Sequence, residues 1–234
     1  MEPEAMKRFA AALLAAFALA APASAADLDA KLTVIHGING TDLGFDEALS
    51  VDVCVAGSKT PLAANVPFRT VSDPFSLPAG RYDVEIRLTD GKCGGVLAVA
   101  SEVSLAVAEN ATAIAHLTEY GTPTLTKFVN DVRALAKGQT RLFARHAAAF
   151  GDVNVYLRQG RTALAIRNLE NPDQEGSDLR AGQWHVAIYP ASFWSKPAFH
   201  ATLPLEAGIA YFAYAVGSPA RGTFEVLLQS IDLN

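Results

Sequence analysis

Two stretches decide the fold: Leu77-Pro-Ala-Gly-Arg-Tyr-Asp-Val84 and Leu179-Arg-Ala-Gly-Gln-Trp-His-Val186, the same pattern set 102 residues apart. Within and just beyond the first, Tyr82, Val84, Ile86 and Leu88 fall on one face, while Arg81, Asp83, Glu85 and Arg87 fall on the other. That period of two belongs to a strand with one buried and one wet side. Trp184, Val186 and Ile188 repeat the apolar half of the pattern. The Ala-Gly pair in front of each strand reads as a turn, with Gly80 and Gly182 free to take a positive φ at little steric cost.

Working outward, the offset of 102 also carries Val51-Asp-Val-Cys-Val55 onto Val153-Asn-Val-Tyr-Leu157. Upstream, Leu32-Thr-Val-Ile-His36 aligns with Leu142-Phe-Ala-Arg-His146 at 110, and downstream Asn110–His116 aligns with Gly208–Tyr214 at 98. The offsets drift only where loops would lie. Further strands read at 31–36, 51–55, 101–107, 112–117 and 124–130, with a last one at 223–232. Leu125, Phe128, Val129, Val132 and Leu135 also fit a helical stripe; strand is preferred up to Asn130, leaving room for one helical turn in the linker. The expectation is an all-β chain of two tandem Ig-like or transthyretin-like antiparallel β-sandwich domains. Its parts are a signal peptide over 1–25, a first domain over 26–130, a linker over 131–139 and a second domain over 140–234.

The leader reading rests on Lys7 and Arg8, the apolar run Phe9–Ala21, and Ala23-Ser-Ala25, a small-x-small site predicting cleavage after Ala25. The apolar run is shorter than the roughly 20 residues that cross a bilayer, and no later stretch is long and apolar enough to do so. The mature chain is therefore expected in the periplasm or secreted, without a membrane span. Export gives meaning to the two cysteines: Cys54 and Cys93 should form a disulfide. Closing that loop is worth about 4 kcal/mol in the chain-entropy account. Of the 234 residues, 50% are hydrophobic and 18% charged, a balance that folds rather than stays disordered. The net charge of −5 argues against nucleic acid as a partner, because phosphate binding needs clustered cations. Residues 27–121 are net acidic and 122–234 net basic, a polarity that could help the halves dock.

The strand-end histidines His36 and His146, the segments VDVCVAG and DVNVYLRQG, the pair LPAGRYDV and LRAGQWHV, and the tail LPLEAGIAYFAYAVGSP together resemble a known family. It is the secreted sandwich domain catalogued as domain of unknown function 4397, here in two copies spanning nearly the whole mature chain. The resemblance implies a sandwich fold and a surface location and carries no active-site residues. The chain departs from the family's prolines after that histidine, having HGINGTDLG and HAAAFGDV instead.

His36 and His146 recur on the inward face of their strands and are weak metal candidates, but a metal asks for three or four convergent ligands. The favoured reading is a neutral imidazole satisfying loop backbone. His116 aligns with Tyr214 at the offset of 98, which predicts a shared packing role. The acidic loop Asn39–Glu47 lacks the spacing of a dedicated calcium loop and is read as solvated. Phe193 and Trp194 should lie at a hairpin tip, a candidate binding surface. Cys54 maps onto Tyr156 and Cys93 onto Ser195 beside Trp194, so the second copy is expected to replace the disulfide with a packing of Tyr156 against Trp194 or Phe193. No nucleophile elbow, zinc-protease helix or phosphate loop is present, so no catalytic residue and no cofactor are assigned. The functional expectation is a non-catalytic exported module binding an unknown protein or glycan at the cell envelope. The alternatives are a periplasmic metal-binding protein using His36 and His146, and a carbohydrate-active or hydrolytic enzyme without a linear motif.

Overall fold

The computed structural model describes residues 28–192 and 196–234. Eight strands form the first half: β1 (Ala30–His36), β2 (Ser50–Val55), β3 (Ala63–Pro67), β4 (Phe75–Leu77), β5 (Gly80–Leu88), β6 (Leu97–Leu105), β7 (Asn110–Leu117) and β8 (Pro123–Val129). Eight more follow: β9 (Gln139–His146), β10 (Val153–Gln159), β11 (Thr162–Leu169), β12 (Gln174–Arg180), β13 (Gly182–Pro190), β14 (Phe199–Leu205), β15 (Ile209–Val216) and β16 (Glu225–Asp232).

These build four four-stranded sheets, ordered β4-β1-β7-β8 and β3-β2-β5-β6 in the first half and β12-β9-β15-β16 and β11-β10-β13-β14 in the second. The order is identical when β9–β16 replace β1–β8. The chain is all-β, with each half a sandwich. The inward alternate residues do pack as the period of two demands: Leu32, Val34, Val53, Val84, Ile86 and Val103 share one core, and Leu142, Val155, Leu157, Trp184, Val186 and Ile188 another.

One pair in each sandwich is parallel, β1 with β7 and β9 with β15. Each connection reverses the chain, so strands six apart run the same way when they meet. This register also corrects the alignment of the later strands. His36 stands opposite Ala115 and His146 opposite Ala215, so the counterpart of Tyr214 is Ile114, and that of His116 is Val216. A slip of two residues leaves every side chain on its own face, which is why alternation alone did not expose it.

β3, β4, β11 and β12 were not foreseen. All four are edge strands, and edges tolerate the prolines and charges that obscured them, such as Pro67, Glu175 and Asp178. The stretch 130–138 between β8 and β9 holds no helical turn. Arg141 on β9 pins it instead, donating to Asp131 Oδ1 at 3.0 Å and to the Arg133 carbonyl at 2.8 Å. Gly182 sits at φ +135, as a turn glycine should, whereas Gly80 needs no positive φ. The motif aromatics each tie their strand back to the turn before it. The Tyr82 hydroxyl donates to the Pro78 carbonyl at 2.7 Å, and Trp184 Nε1 donates to the Arg180 carbonyl at 2.9 Å.

The two sandwiches do not hang on a loose tether. The outward faces of the sheets containing β1 and β9 meet in a third cluster, in which Ile35, Ile114 and Phe128 pack with Phe212, Tyr214 and Val216. The molecule is thus four sheets deep with three apolar layers between them. One ion pair at the seam runs against the net charges of the halves, with Arg69 of the acidic half bound to Glu225 of the basic half at 2.8 Å.

Candidate functional site

His36 and His146 end β1 and β9, where each sandwich closes. His36 Nε2 lies 3.0 Å from the Leu49 carbonyl, and its Nδ1 is 3.4 Å from the Ile38 N–H. His146 repeats this with the Gly151 carbonyl at 3.0 Å and the Ala148 N–H at 3.5 Å. Carbonyl on one nitrogen and N–H on the other select a single neutral tautomer, protonated at Nε2. Burial lowers the His36 pKa to about 4, against the raising pull of the Leu49 carbonyl. Burial likewise lowers His146, opposed by the Gly151 and Phe150 carbonyls and by Asp152 and Glu119. His116 is lowered to about 4, chiefly by its own burial and further by His146 across the seam, against the raising pull of the Leu117 and Ala147 carbonyls. Among the described residues no group of three or more His, Cys, Asp or Glu converges as metal ligands.

The seam holds a polar network that the sequence did not announce. Arg145, fully buried, donates from Nε to Gln174 Oε1 at 2.8 Å, from Nη2 to the Val129 carbonyl at 3.0 Å, and from Nη1 to the Tyr214 hydroxyl. Its guanidinium lies over the rings of Phe212 at 4.3 Å, Phe128 at 4.8 Å and Tyr214 at 5.1 Å. Tyr214 in turn donates to Gln229 Oε1 at 2.7 Å, which also accepts from Thr112 at 3.0 Å. A guanidinium spreads its charge and stacks on ring faces, so it tolerates burial without a carboxylate better than an ammonium would. The acidic loop also turns inward. Asp42 is buried and accepts from Thr223 of the second sandwich at 2.8 and 3.0 Å, which corrects the solvated reading at that residue, whereas Asp46 and Glu47 are exposed.

Cys54 and Cys93 form a disulfide with Cα atoms 5.9 Å apart. It fastens the β5–β6 hairpin tip to β2, and Asp52 on β2 holds the same tip. Asp52 accepts from Asp90 N at 2.9 Å, Gly91 N at 2.8 Å, Thr89 Oγ1 at 2.8 Å and, on β3, Asn65 N at 2.7 Å. In the second sandwich Tyr156 occupies the cysteine position. It meets Tyr189 edge-on, with ring centroids 5.8 Å apart, and the Arg167 guanidinium lies 5.7 Å above it. Phe193 and Trp194, the candidate tip, lie outside the described residues, and so does the expected contact of either with Tyr156.

The second sandwich contains a cleft of about 250 Å³ between its sheets, reached between edge strands β11 and β12. Its walls are mainly apolar, with Leu142, Ala144, Val155, Ile166, Ile188 and Val226 among them, and Arg145, His146 and Glu175 also line it. The matching register explains the space. Ser177 pairs with Leu142 as Phe75 pairs with Leu32, so Ser177 stands where Phe75 packs onto the first core. Ala144 likewise replaces Val34, and Val226 replaces Leu125. Beside the cleft, sharing Leu164, Ser177 and Leu179 with it, lies a polar recess bearing Arg161 and Arg180.

Compared with known proteins, residues 30–156 match the family model described as Domain of unknown function (DUF4397). The chain belongs to the DUF4397 family. The match spans the whole first sandwich and ends inside β10, so it accounts for one domain. No curated protein matches this DUF4397 chain. Two solved structures described as a "putative cell adhesion protein" resemble it at 10% identity. The one from Bacteroides ovatus covers 88% of this chain and 97% of its own at TM-score 0.28. The one from Bacteroides uniformis covers 89% and 100% at TM-score 0.30. At such TM-scores neither carries an argument about function.

Of the residues singled out in the sequence, the structure brings together only Cys54 and Cys93. His36 and His146 are each absorbed by their own loop. Arg145, Asp52 and the Ser177 cleft were missed. Self-comparison held signals for the first and last, since Arg145 falls at the Ile35 position and Ser177 at the Phe75 position.

Proposed function

We propose that this protein is an exported, non-catalytic binding module of the cell envelope, formed by duplication of one sandwich over residues 26–130 and 140–234 with 131–139 between them. The observation that carries this reading is the mirrored use of the two strand-end histidines. In both sandwiches the ring spends both nitrogens on loop backbone, leaving neither a free base nor an open ligand position. A catalytic site needs titratable groups converging in a pocket; here the cleft of the second sandwich is mainly apolar, and the histidine on its lining, His146, is held by loop backbone at both ring nitrogens. That composition suits holding a ligand better than transforming one. The disulfide supports an oxidising compartment. Joined face to face, the sandwiches present their loops and edges at fixed spacing, as suits a surface-displayed partner for a protein or glycan.

The test is to express the full chain in a Gram-negative host, fractionate the cells and take the intact mass. The expected result is a chain lacking residues 1–25, recovered from the periplasm or medium, with Cys54 bonded to Cys93 and no stoichiometric metal. An uncleaved chain in the cytosol with free thiols, or stoichiometric zinc or copper in protein purified without a metal column, would overturn the proposal.

A further inference from the structure

We infer that the cleft of the second sandwich is a binding site for a free single-chain anionic amphiphile of the fatty-acid type. The inference rests on the binding-module reading and gives that module a ligand class. The second core gains bulk at some positions, such as Tyr211 where the first has Ala111, but three substitutions remove it around the cleft: Phe75 to Ser177, Val34 to Ala144, and Leu125 to Val226. The first lies on edge strand β12, the second on its neighbour β9 and the third on β16 at the far edge of the same sheet, and the largest loss is at the β12 edge. Phe75 packs against the first core; Ser177 is exposed at the cleft's rim and its hydroxyl bonds only to the neighbouring Asp178 carbonyl, at 3.4 Å. An unbranched chain can therefore enter between β11 and β12 and lie among Leu142, Val155, Ile166 and Ile188, while the buried Arg145 and His146 on the same lining are already hydrogen-bonded to the protein.

The mouth supplies the second half of the recognition. The polar recess shares Leu164, Ser177 and Leu179 with the cleft, so a molecule with its tail inside has its head in that recess. The acid there, Asp178, is already engaged by Arg141 through two bonds of 2.7 and 3.0 Å. Arg161 and Arg180 are exposed and make no ion pair with another described residue, so the recess is left cationic. Glu175 lines the cleft but not the recess, so an anionic head is favoured in the recess and disfavoured within the cleft. An apolar slot ending at two arginines fits one carboxylate on one acyl chain.

The test titrates the intact mature protein with octanoate, decanoate and dodecanoate below their micelle concentrations, with decanol as a neutral control and phosphatidylglycerol vesicles as a lipid surface. One molecule should bind per chain. Affinity should rise roughly fourfold per added methylene until the slot is full. Ser177→Phe, which restores the plug of the first sandwich, should weaken decanoate at least about tenfold. Arg161→Gln with Arg180→Gln, both exposed and harmless to folding, should bring decanoate down to the affinity of decanol. No saturable decanoate binding, no dependence on chain length, binding to vesicles alone, or full affinity in the double arginine variant would each overturn the assignment. If Ser177→Phe does not fold, the arginine variant decides. Correct export and cleavage with no decanoate binding would sink the cleft assignment while leaving the envelope-module reading intact.

Discussion

Removing the carboxylate of Asp52 should loosen the first sandwich at one hairpin and cost more than most single changes. Four donors converge on it: three backbone N–H groups and the Thr89 hydroxyl, all within 2.9 Å. A hydrogen bond to a charged group contributes roughly 1.5–3 kcal/mol, and an orphaned buried donor costs a further 1–3 kcal/mol. In Asp52→Ala the donors at the hairpin tip can recover water, which offsets part of the loss. The net destabilisation should be about 3–4 kcal/mol, or roughly a 10 °C fall in Tm for a chain of this size. Asp52→Asn should lose about half as much, because Asn154 at the matching position still accepts from Asn168 N at 3.0 Å. Burial pushes the Asp52 pKa up, but the bonds from Asn65, Asp90, Thr89 and Gly91 prevail and hold it below the usual value. The stabilisation is therefore complete above about pH 4, where an unfolded aspartate is already ionised, and is lost as pH falls through the depressed folded value. Urea unfolding of wild type and Asp52→Ala should differ most near neutral pH, and the gap should narrow in strong acid as the charge-dependent part is lost. A loss under about 1 kcal/mol, or a gap that does not shrink in acid, would refute the reasoning.

Three further expectations follow from the same geometry. Arg145→Ala should cost about 3–5 kcal/mol in urea unfolding, since it strands Tyr214, Gln174 and the Val129 carbonyl, whereas Arg145→Met should cost clearly less. Because burial lowers His36 and His116 to about 4, each gives stability that is complete above about pH 6.5 and drains away as pH falls toward 4. Imidazole NMR should show neutral rings at pH 5, and titration near the ordinary value would contradict the burial assignment. Replacing both Cys54 and Cys93 by Ala should cost about 2–4 kcal/mol and make the β5–β6 tip the first site of protease nicking while the second sandwich stays resistant.

The fold was legible where sequence carries a period. β5 alternates charge with apolar bulk, and its counterpart β13 in the second sandwich repeats the apolar half, so their sandwich faces could be assigned without coordinates. The seam was legible only in outline. β7 and β15 are buried on nearly every residue, and Ala111–Leu117 and Ile209–Val216 do read as apolar runs without a wet face. Such runs mark strands covered on both sides, yet their partner could as well have been another molecule. The setting of Arg145 carried no signal along the chain, because nothing linear shows that Phe128, Phe212 and Tyr214 surround it. The edge strands escaped because they bury little and therefore carry little pattern. The cleft is a difference between two cores and became visible once register fixed Ser177 against Phe75.

That the two sandwiches act as one body through the buried seam is tested most directly by calorimetric unfolding of the intact mature chain. The account predicts a single transition whose calorimetric and van't Hoff enthalpies agree, because neither sheet face at the seam can be exposed alone without uncovering Phe212, Ile114 and the Arg145 network. Two resolved transitions, each with the enthalpy of one sandwich, would contradict it.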